Sequence, residues 1–276
     1  MTAQFHTLIR AQDLAGLIAD NAALRIFDCR AQLGNPHRGA ELFAQGHIPG
    51  AQHADLDRHL SASPNQQGRH PLPDPDTWLQ QVRQWGVRAD DQVVLYDDVG
   101  GQMAARAWWM MRWLGHSATA VLDGGMTQWP GPLESGSGQA PEPSDFQPGP
   151  SLTRLWSVDQ VMENLQSQDH LLVDARAEAR FHGEEEPIDP VAGHIPNAQC
   201  LPSSGNLEQN GLFKTPEALR QRFAHVDPAT TVCYCGSGVT ATHNILAMNV
   251  AGLAEPGLYA DSWSGWITDS TRPIAR

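Results

Sequence analysis

Thr231-Val232-Cys233-Tyr234-Cys235-Gly236-Ser237-Gly238-Val239-Thr240-Ala241 is the stretch from which the fold is read. An apolar, β-branched run stops at Cys235, two glycines punctuate the next residues, and a helix-like pattern starts near Thr240. That order predicts a buried strand, a tight loop and a helix. A thiol at the carboxyl end of such a strand faces backbone amides leading into a helix N-terminus, where anions are stabilised. The position therefore suits a nucleophilic thiolate.

Working outward, the same alternation of short apolar runs and amphipathic segments recurs along the chain. Leu8 to Ile18 carries apolar residues at helical spacing, and Ala23 to Asp28 reads as a short buried strand. A polar loop rich in Gly, Pro and Asn occupies Asp55 to Pro75, and Thr77 to Gly86 reads as an amphipathic helix with a glycine stop. Gln92 to Asp97 is a second buried strand, Met103 to Leu114 a helix and Ala118 to Leu122 a third strand. Alternating strands and helices predict an α/β fold with parallel sheets covered by helices.

Residues 130–150 are dominated by Pro, Gly, Ser and acidic side chains, without periodicity, and read as a linker. The half of the chain after this linker repeats the half before it. Leu171-Leu172-Val173-Asp174-Ala175-Arg176 matches Ile26-Phe27-Asp28-Cys29-Arg30, and Gly193-His194-Ile195-Pro196-Asn197-Ala198 matches Gly46-His47-Ile48-Pro49-Gly50-Ala51. Thr231 to Cys235 matches Gln92 to Asp97, which sets Cys235 opposite Asp97, and Ser262 to Trp266 matches Gly125 to Trp129. One α/β domain duplicated in tandem accounts for all four matches. The expected division is a first domain at 1–130 without a catalytic cysteine, a linker at 131–150 and a catalytic domain at 151–276.

Composition narrows the function. With 276 residues, of which 41% are hydrophobic, the chain has enough apolar material for two packed domains. A formal net charge of −13, with Lys214 as the sole lysine, argues against nucleic acid or an anionic membrane as partner. No apolar run approaches the ~18 residues that a membrane span needs, so a cytoplasmic location is expected. Cys29, Cys200, Cys233 and Cys235 do not make a disulfide framework in a chain of this length.

Two repeats, each with a D-x-R strand end and a GHIPxA segment, and a C-terminal CGSGVTA loop resemble the tandem-domain rhodanese superfamily over nearly the whole chain. The loop is most similar to that of the 3-mercaptopyruvate sulfurtransferases, because Gly236 and Ser237 stand where the thiosulfate enzymes carry basic residues. The resemblance implies two rhodanese-like domains, each a parallel sheet flanked by helices, with the site between them and covered by the Asp57 to His70 region. It implies transfer of a sulfane sulfur through a persulfide on Cys235, from 3-mercaptopyruvate or alternatively thiosulfate, to a thiol or cyanide. The thiol acceptor it allows includes a thioredoxin-like protein, and no metal or organic cofactor is expected. A competing reading is a persulfide carrier or sensor with little small-molecule turnover.

Residue by residue, the resemblance makes Cys235 the nucleophile and gives Gly236, Gly238, Val239 and Thr240 to the loop that holds the sulfur or a bound oxyanion. Ser237 matches a serine that works with an aspartate and a histidine, which fall on Asp57 and His70, with Asp55 or His59 as alternatives. Arg180 matches the arginine that binds the donor's anionic group, a task suited to a planar guanidinium. A second arginine about nine residues on is expected from the family; this chain has Asp189 there, at the end of Glu184-Glu185-Glu186-Pro187-Ile188-Asp189, which reads as a solvated acidic loop. Asp261 and Gly265 replace a usual glycine and glutamate, and an added carboxylate at Asp261 either repels anionic donors or faces solvent. A phosphatase reading fails because Ala241, not arginine, stands six residues after Cys235.

Overall fold

The structure is a computed structural model that describes residues 4–138 and 141–276. It divides into two compact units. One comprises Met1–Ala62, Pro73–Leu152 and Asn210–Leu212; the other comprises Ser63–Leu72, Thr153–Gln209 and Phe213–Arg276.

In the first unit the elements run β1 (Leu8–Ile9), α1 (Ala11–Ala19), β2 (Leu24–Asp28), α2 (Arg38–Gln45), β3 (Ala51–His53), α3 (Pro75–Gln84), β4 (Gln92–Tyr96), α4 (Ala104–Trp113) and β5 (Thr119–Leu122). The five strands form a parallel sheet in the order β1-β5-β4-β2-β3. Every residue of β4 is buried, as its unbroken apolar run requires of a central strand. Leu8 and Ile9 depart from the helical reading: they form the edge strand against Val121 and Leu122, and α1 begins only at Ala11. The start of α3 is set by Asp74, whose carboxylate accepts the Asp76 and Thr77 amides, with Pro75 at the first helical position.

The second unit repeats this plan with β6 (Arg154–Trp156), α5 (Val158–Ser167), β7 (Leu171–Asp174), α6 (Glu178–Phe181), β8 (Gln199–Cys200), α7 (Pro216–Arg222), β9 (Thr231–Tyr234), α8 (Ala241–Val250), β10 (Gly257–Tyr259) and α9 (Ser262–Trp266). Its parallel sheet has the order β6-β10-β9-β7-β8, the same strand topology as the first. The central strand is again wholly buried, and α8 is buried from Ala241 through Met248. A helix buried on all sides, rather than amphipathic, belongs in an interior. The loop before it is thereby pinned between two buried elements. Among the described residues no helix is long and apolar enough to cross a membrane.

The repeated motifs hold corresponding places. Arg30 Nη2 bridges Asp28 Oδ2 at 2.5 Å and the Gly46 carbonyl at 2.6 Å; Arg176 Nη2 does the same to Asp174 Oδ2 and the Gly193 carbonyl, both at 2.7 Å. Tyr96 and Tyr234 each accept a 3.2 Å hydrogen bond from the Ile48 or Ile195 amide. His47 and His194 donate from Nδ1 to the Phe43 and Phe181 carbonyls at 2.8 Å and stack on those rings. These residues tie strand ends to the following segment. Removing one partner of such a buried ion pair costs about 3–5 kcal/mol, because the other charge is left without its counterion.

Candidate active site

Cys235 sits immediately after β9 and is 2% exposed. The chain turns sharply behind it. Gly238 has φ +75°, and a Cβ there would run into the backbone of Ala260, so the turn requires glycine twice over. The loop is fastened from one side by the start of α9. Ser262 Oγ accepts the Cys235 amide at 3.0 Å, and the Cys235 and Gly236 carbonyls accept the Trp263 and Ser264 amides at 3.0 and 2.8 Å. On the far side Thr242 Oγ1 donates to the Val239 carbonyl at 2.6 Å. Val239 is buried and Thr240 partly so.

The first unit shows what a loop of this kind does with an anion. Asp97, the counterpart of Cys235, is fully buried, and its carboxylate accepts four backbone amides: Val99 and Gly101 on Oδ1 at 2.9 and 2.8 Å, Met103 and Ala104 on Oδ2 at 2.7 and 2.9 Å. Burial pushes this carboxyl above the usual range, against the pull of those four amides. The first repeat therefore fills its amide cradle with its own side chain.

Ser237, 5% exposed, places Oγ 2.8 Å from His70 Nδ1. His70 belongs to Ser63–Leu72, which packs with the second unit although it precedes Pro73–Leu152 of the first. The two candidate alternatives have other work. Asp55 is buried and its Oδ1 accepts the Asp57 and Arg58 amides, while His59 Nδ1 accepts the Asp55 amide and the ring meets Trp85 edge-on. Asp57 lies in the first unit, exposed on that turn, its carboxyl raised by partial burial and by Asp55 beside it.

Arg180 lies on the short helix α6, and a Cβ built on Gly236 would lie 3.4 Å from its Nη1. Its other edge meets Glu186, Nε to Oε2 at 3.2 Å and Nη2 to Oε1 at 2.7 Å, and Nη2 reaches Asp189 Oδ2 at 3.1 Å. The acidic segment thus departs from the solvated reading. Glu184 and Glu185 are exposed, whereas the Glu186 and Asp189 side chains are buried and paired with arginines. Burial disfavours the Glu186 carboxylate, yet the Arg180 hydrogen bonds and the Asp189 and Ile188 amides bring its carboxyl below the usual range.

Arg69 is the neighbour that the sequence reading passed over. Its Nη1 pairs with Asp189 Oδ1, and a Cβ on Gly236 would lie 3.2 Å from its Nη2. The signal available was its adjacency to His70, with nothing in the sequence to say which way it turns. Asp261 lines a cleft of about 440 Å³ with Gln66, Trp156 and Arg272, a lining that does not include Cys235, Ser237 or Arg180. The remaining thiols sit elsewhere: Cys233 and Cys29 are buried and pushed up by burial, and Cys200 is pushed up to about 12, first by burial and then by Asp174.

The chain is similar to known proteins over most of its length. The model of the rhodanese-like domain matches residues 10–131 and again 157–269. A Pseudomonas aeruginosa protein named "Probable 3-mercaptopyruvate sulfurtransferase" is 47% identical over 97% of both chains. Mouse thiosulfate sulfurtransferase is 33% identical over 89% of this chain and 85% of its own. Among solved structures, the 3-mercaptopyruvate sulfurtransferase-type SseA from Escherichia coli superposes with a TM-score of 0.79 at 30% identity, covering 94% of this chain and all of that one.

Proposed function

From the fact that this chain belongs to the rhodanese family, with two rhodanese-like domains in tandem, we propose that it is a sulfurtransferase that takes the sulfane sulfur of 3-mercaptopyruvate on Cys235 and passes it to a thiol or to cyanide. The observation that carries the donor assignment is the contact of Ser237, on the loop that carries the thiol, with His70 at 2.8 Å.

In this reaction the Cys235 thiolate attacks the donor's sulfur. The S–S bond forms as the C–S bond breaks, and the electron pair stays on the carbon as pyruvate enolate. That carbon then needs a proton. A serine hydroxyl oriented by an imidazole supplies one, which is general acid catalysis at the leaving group. The persulfide loses its outer sulfur to the acceptor's thiolate or to cyanide, which restores Cys235. Asp57 as third partner of Ser237 and His70 rests on the family resemblance alone.

Arg180 binds the donor's carboxylate, and the amides from Gly236 through Thr240, with Gly238 and Val239 among them, hold the sulfur. The Asp97 cradle supports the second assignment, since the same turn in the first repeat closes four amides around an anionic group. The catalytic thiol belongs to residues 151–276, while 1–130 carries Asp97 in its place and 131–150 serves as linker. A thioredoxin-like acceptor and a cytoplasmic setting fit an acidic protein with an internal thiol cycle.

The test is kcat/KM for 3-mercaptopyruvate against thiosulfate, with cyanide and a dithiol as acceptors. Mercaptopyruvate is expected to be preferred. A thiosulfate preference of tenfold, about 1.4 kcal/mol in transition-state binding, would reverse the donor assignment. Turnover of neither donor, with a persulfide still forming on Cys235, would make the protein a persulfide carrier.

A further inference from the structure

Asp189 stands where the family pattern supplies a second arginine, yet two guanidiniums still face the cysteine loop. A Cβ on Gly236 would lie 3.2 Å from Arg69 Nη2 and 3.4 Å from Arg180 Nη1. We infer that Arg69 supplies the second guanidinium of the donor's carboxylate site, and that Asp189 is the group holding it there. The charges of the pair are exchanged between two chain segments relative to the expected pattern. This assignment rests on the sulfur-transfer reading and names the residue that gives it affinity.

Three features carry it. Asp189 is 2% exposed at its side chain and bridges Arg69 Nη1 on Oδ1 and Arg180 Nη2 on Oδ2, so it holds each arginine by one nitrogen while another faces Gly236. Planar forks of this kind grip a carboxylate from two sides. Charge is the second feature. Around the loop the guanidiniums of Arg69, Arg176 and Arg180 face the carboxylates of Asp174, Glu186 and Asp189, so the cluster is neutral only while Arg69 is present. Without Arg69 the cluster would carry a negative charge and repel an anionic donor.

The third feature is how Arg69 reaches this place. Gly265, standing where glutamate is usual, lets the chain at Gln67 approach so closely that a Cβ would lie 2.8 Å from the Gln67 carbonyl oxygen. Gly68, at φ +107°, faces Ser264 and Gly265 in return. Ser264 Oγ then accepts the Arg69 amide at 3.1 Å, and Thr268 Oγ1 donates to the Gln66 carbonyl at 3.0 Å. The helix α9 that fastens the Cys235 loop therefore also positions Arg69. The departures at Asp189 and Gly265 belong to one arrangement.

The experiment compares Arg69→Ala, Asp189→Asn, Arg69→Lys and the exchange Arg69→Asp with Asp189→Arg. It reads KM and kcat for 3-mercaptopyruvate, and the donor concentration that half-saturates persulfide formation on Cys235 by mass. Arg69→Ala should raise KM and the half-saturating concentration by about 10- to 100-fold, the range for losing a charge-assisted hydrogen bond, with kcat within about threefold. Arg69→Lys and Asp189→Asn should each fall between Arg69→Ala and the parent. The exchanged pair should recover to within about fivefold of the parent, since it restores the charge and the bridge. An unchanged KM in Arg69→Ala overturns the assignment. So does an exchanged pair no better than Arg69→Ala while its tryptophan fluorescence matches that of the folded parent. A parent protein that forms no persulfide with either donor instead removes the sulfur-transfer reading, and the Arg69 assignment falls with it.

Discussion

Ser237→Ala separates the two donors by chemistry rather than by affinity. Pyruvate leaves as an enolate whose carbon must be protonated, whereas sulfite leaves thiosulfate with its charge already on oxygen. Ser237 Oγ lies 2.8 Å from His70 Nδ1, a pair 5% exposed at the serine, so bulk water is poorly placed to replace the hydroxyl. A positioned general acid contributes about 10²–10⁴ in rate. Taking the lower end, Ser237→Ala should slow 3-mercaptopyruvate turnover about 100-fold, or about 2.7 kcal/mol in the barrier. Thiosulfate turnover should lose no more than about fivefold, the worth of one neutral hydrogen bond near 1 kcal/mol. Pyruvate release and sulfite release, each followed at saturating donor, measure the two rates. Equal losses on both donors would refute the proton-delivery argument, and so would an undiminished pyruvate rate.

Two further outcomes concern stability. Asp97→Ala leaves four amides, three of them buried, without their acceptor and should destabilise the chain by about 3 kcal/mol once the recovered cost of burying the carboxylate is counted; Asp97→Asn, able to keep the Val99 and Gly101 bonds through one oxygen, should lose less. A urea midpoint unmoved by Asp97→Ala would show that the carboxylate does not hold that loop. His116, 3% exposed between Thr119 Oγ1 and the Arg88 carbonyl, has its imidazole held below the ordinary histidine range, first by burial. The unfolded chain then binds the proton more readily, so stability is full above the ordinary histidine range and is lost as pH falls toward the folded value. His116→Gln should flatten that slope of the urea midpoint, and an unaltered slope would take the effect away from His116.

The α/β frame was legible because its central strands are continuous apolar runs ending at Asp97 and Cys235, and because the second half repeats the first in order. Edge strands were less so. Leu8 and Ile9 continue the helical spacing of the segment after them, and a two-residue strand has no period of its own. At the site, family resemblance pointed to Ser237 and His70, 167 residues apart, which the structure brings into contact. The burial of Glu186 and Asp189 was hidden, because an acidic run reads as solvated until its cations are placed. One of those cations, Arg69, comes from 120 residues earlier in the chain. Gly265 looked like a loss of glutamate and is instead room for Gln67.

The grouping of Ser63–Leu72 with the second unit bears on the inheritance of this molecule. A gene cut after Leu152 would retain Cys235, Ser237 and Arg180 but surrender His70 and Arg69. The first copy, with Asp97 where the second carries Cys235, is therefore no vestige that deletion could trim away. By lending ten residues to its sibling it ties the fate of both halves together, and selection on the chemistry of one preserves the reading frame of the other.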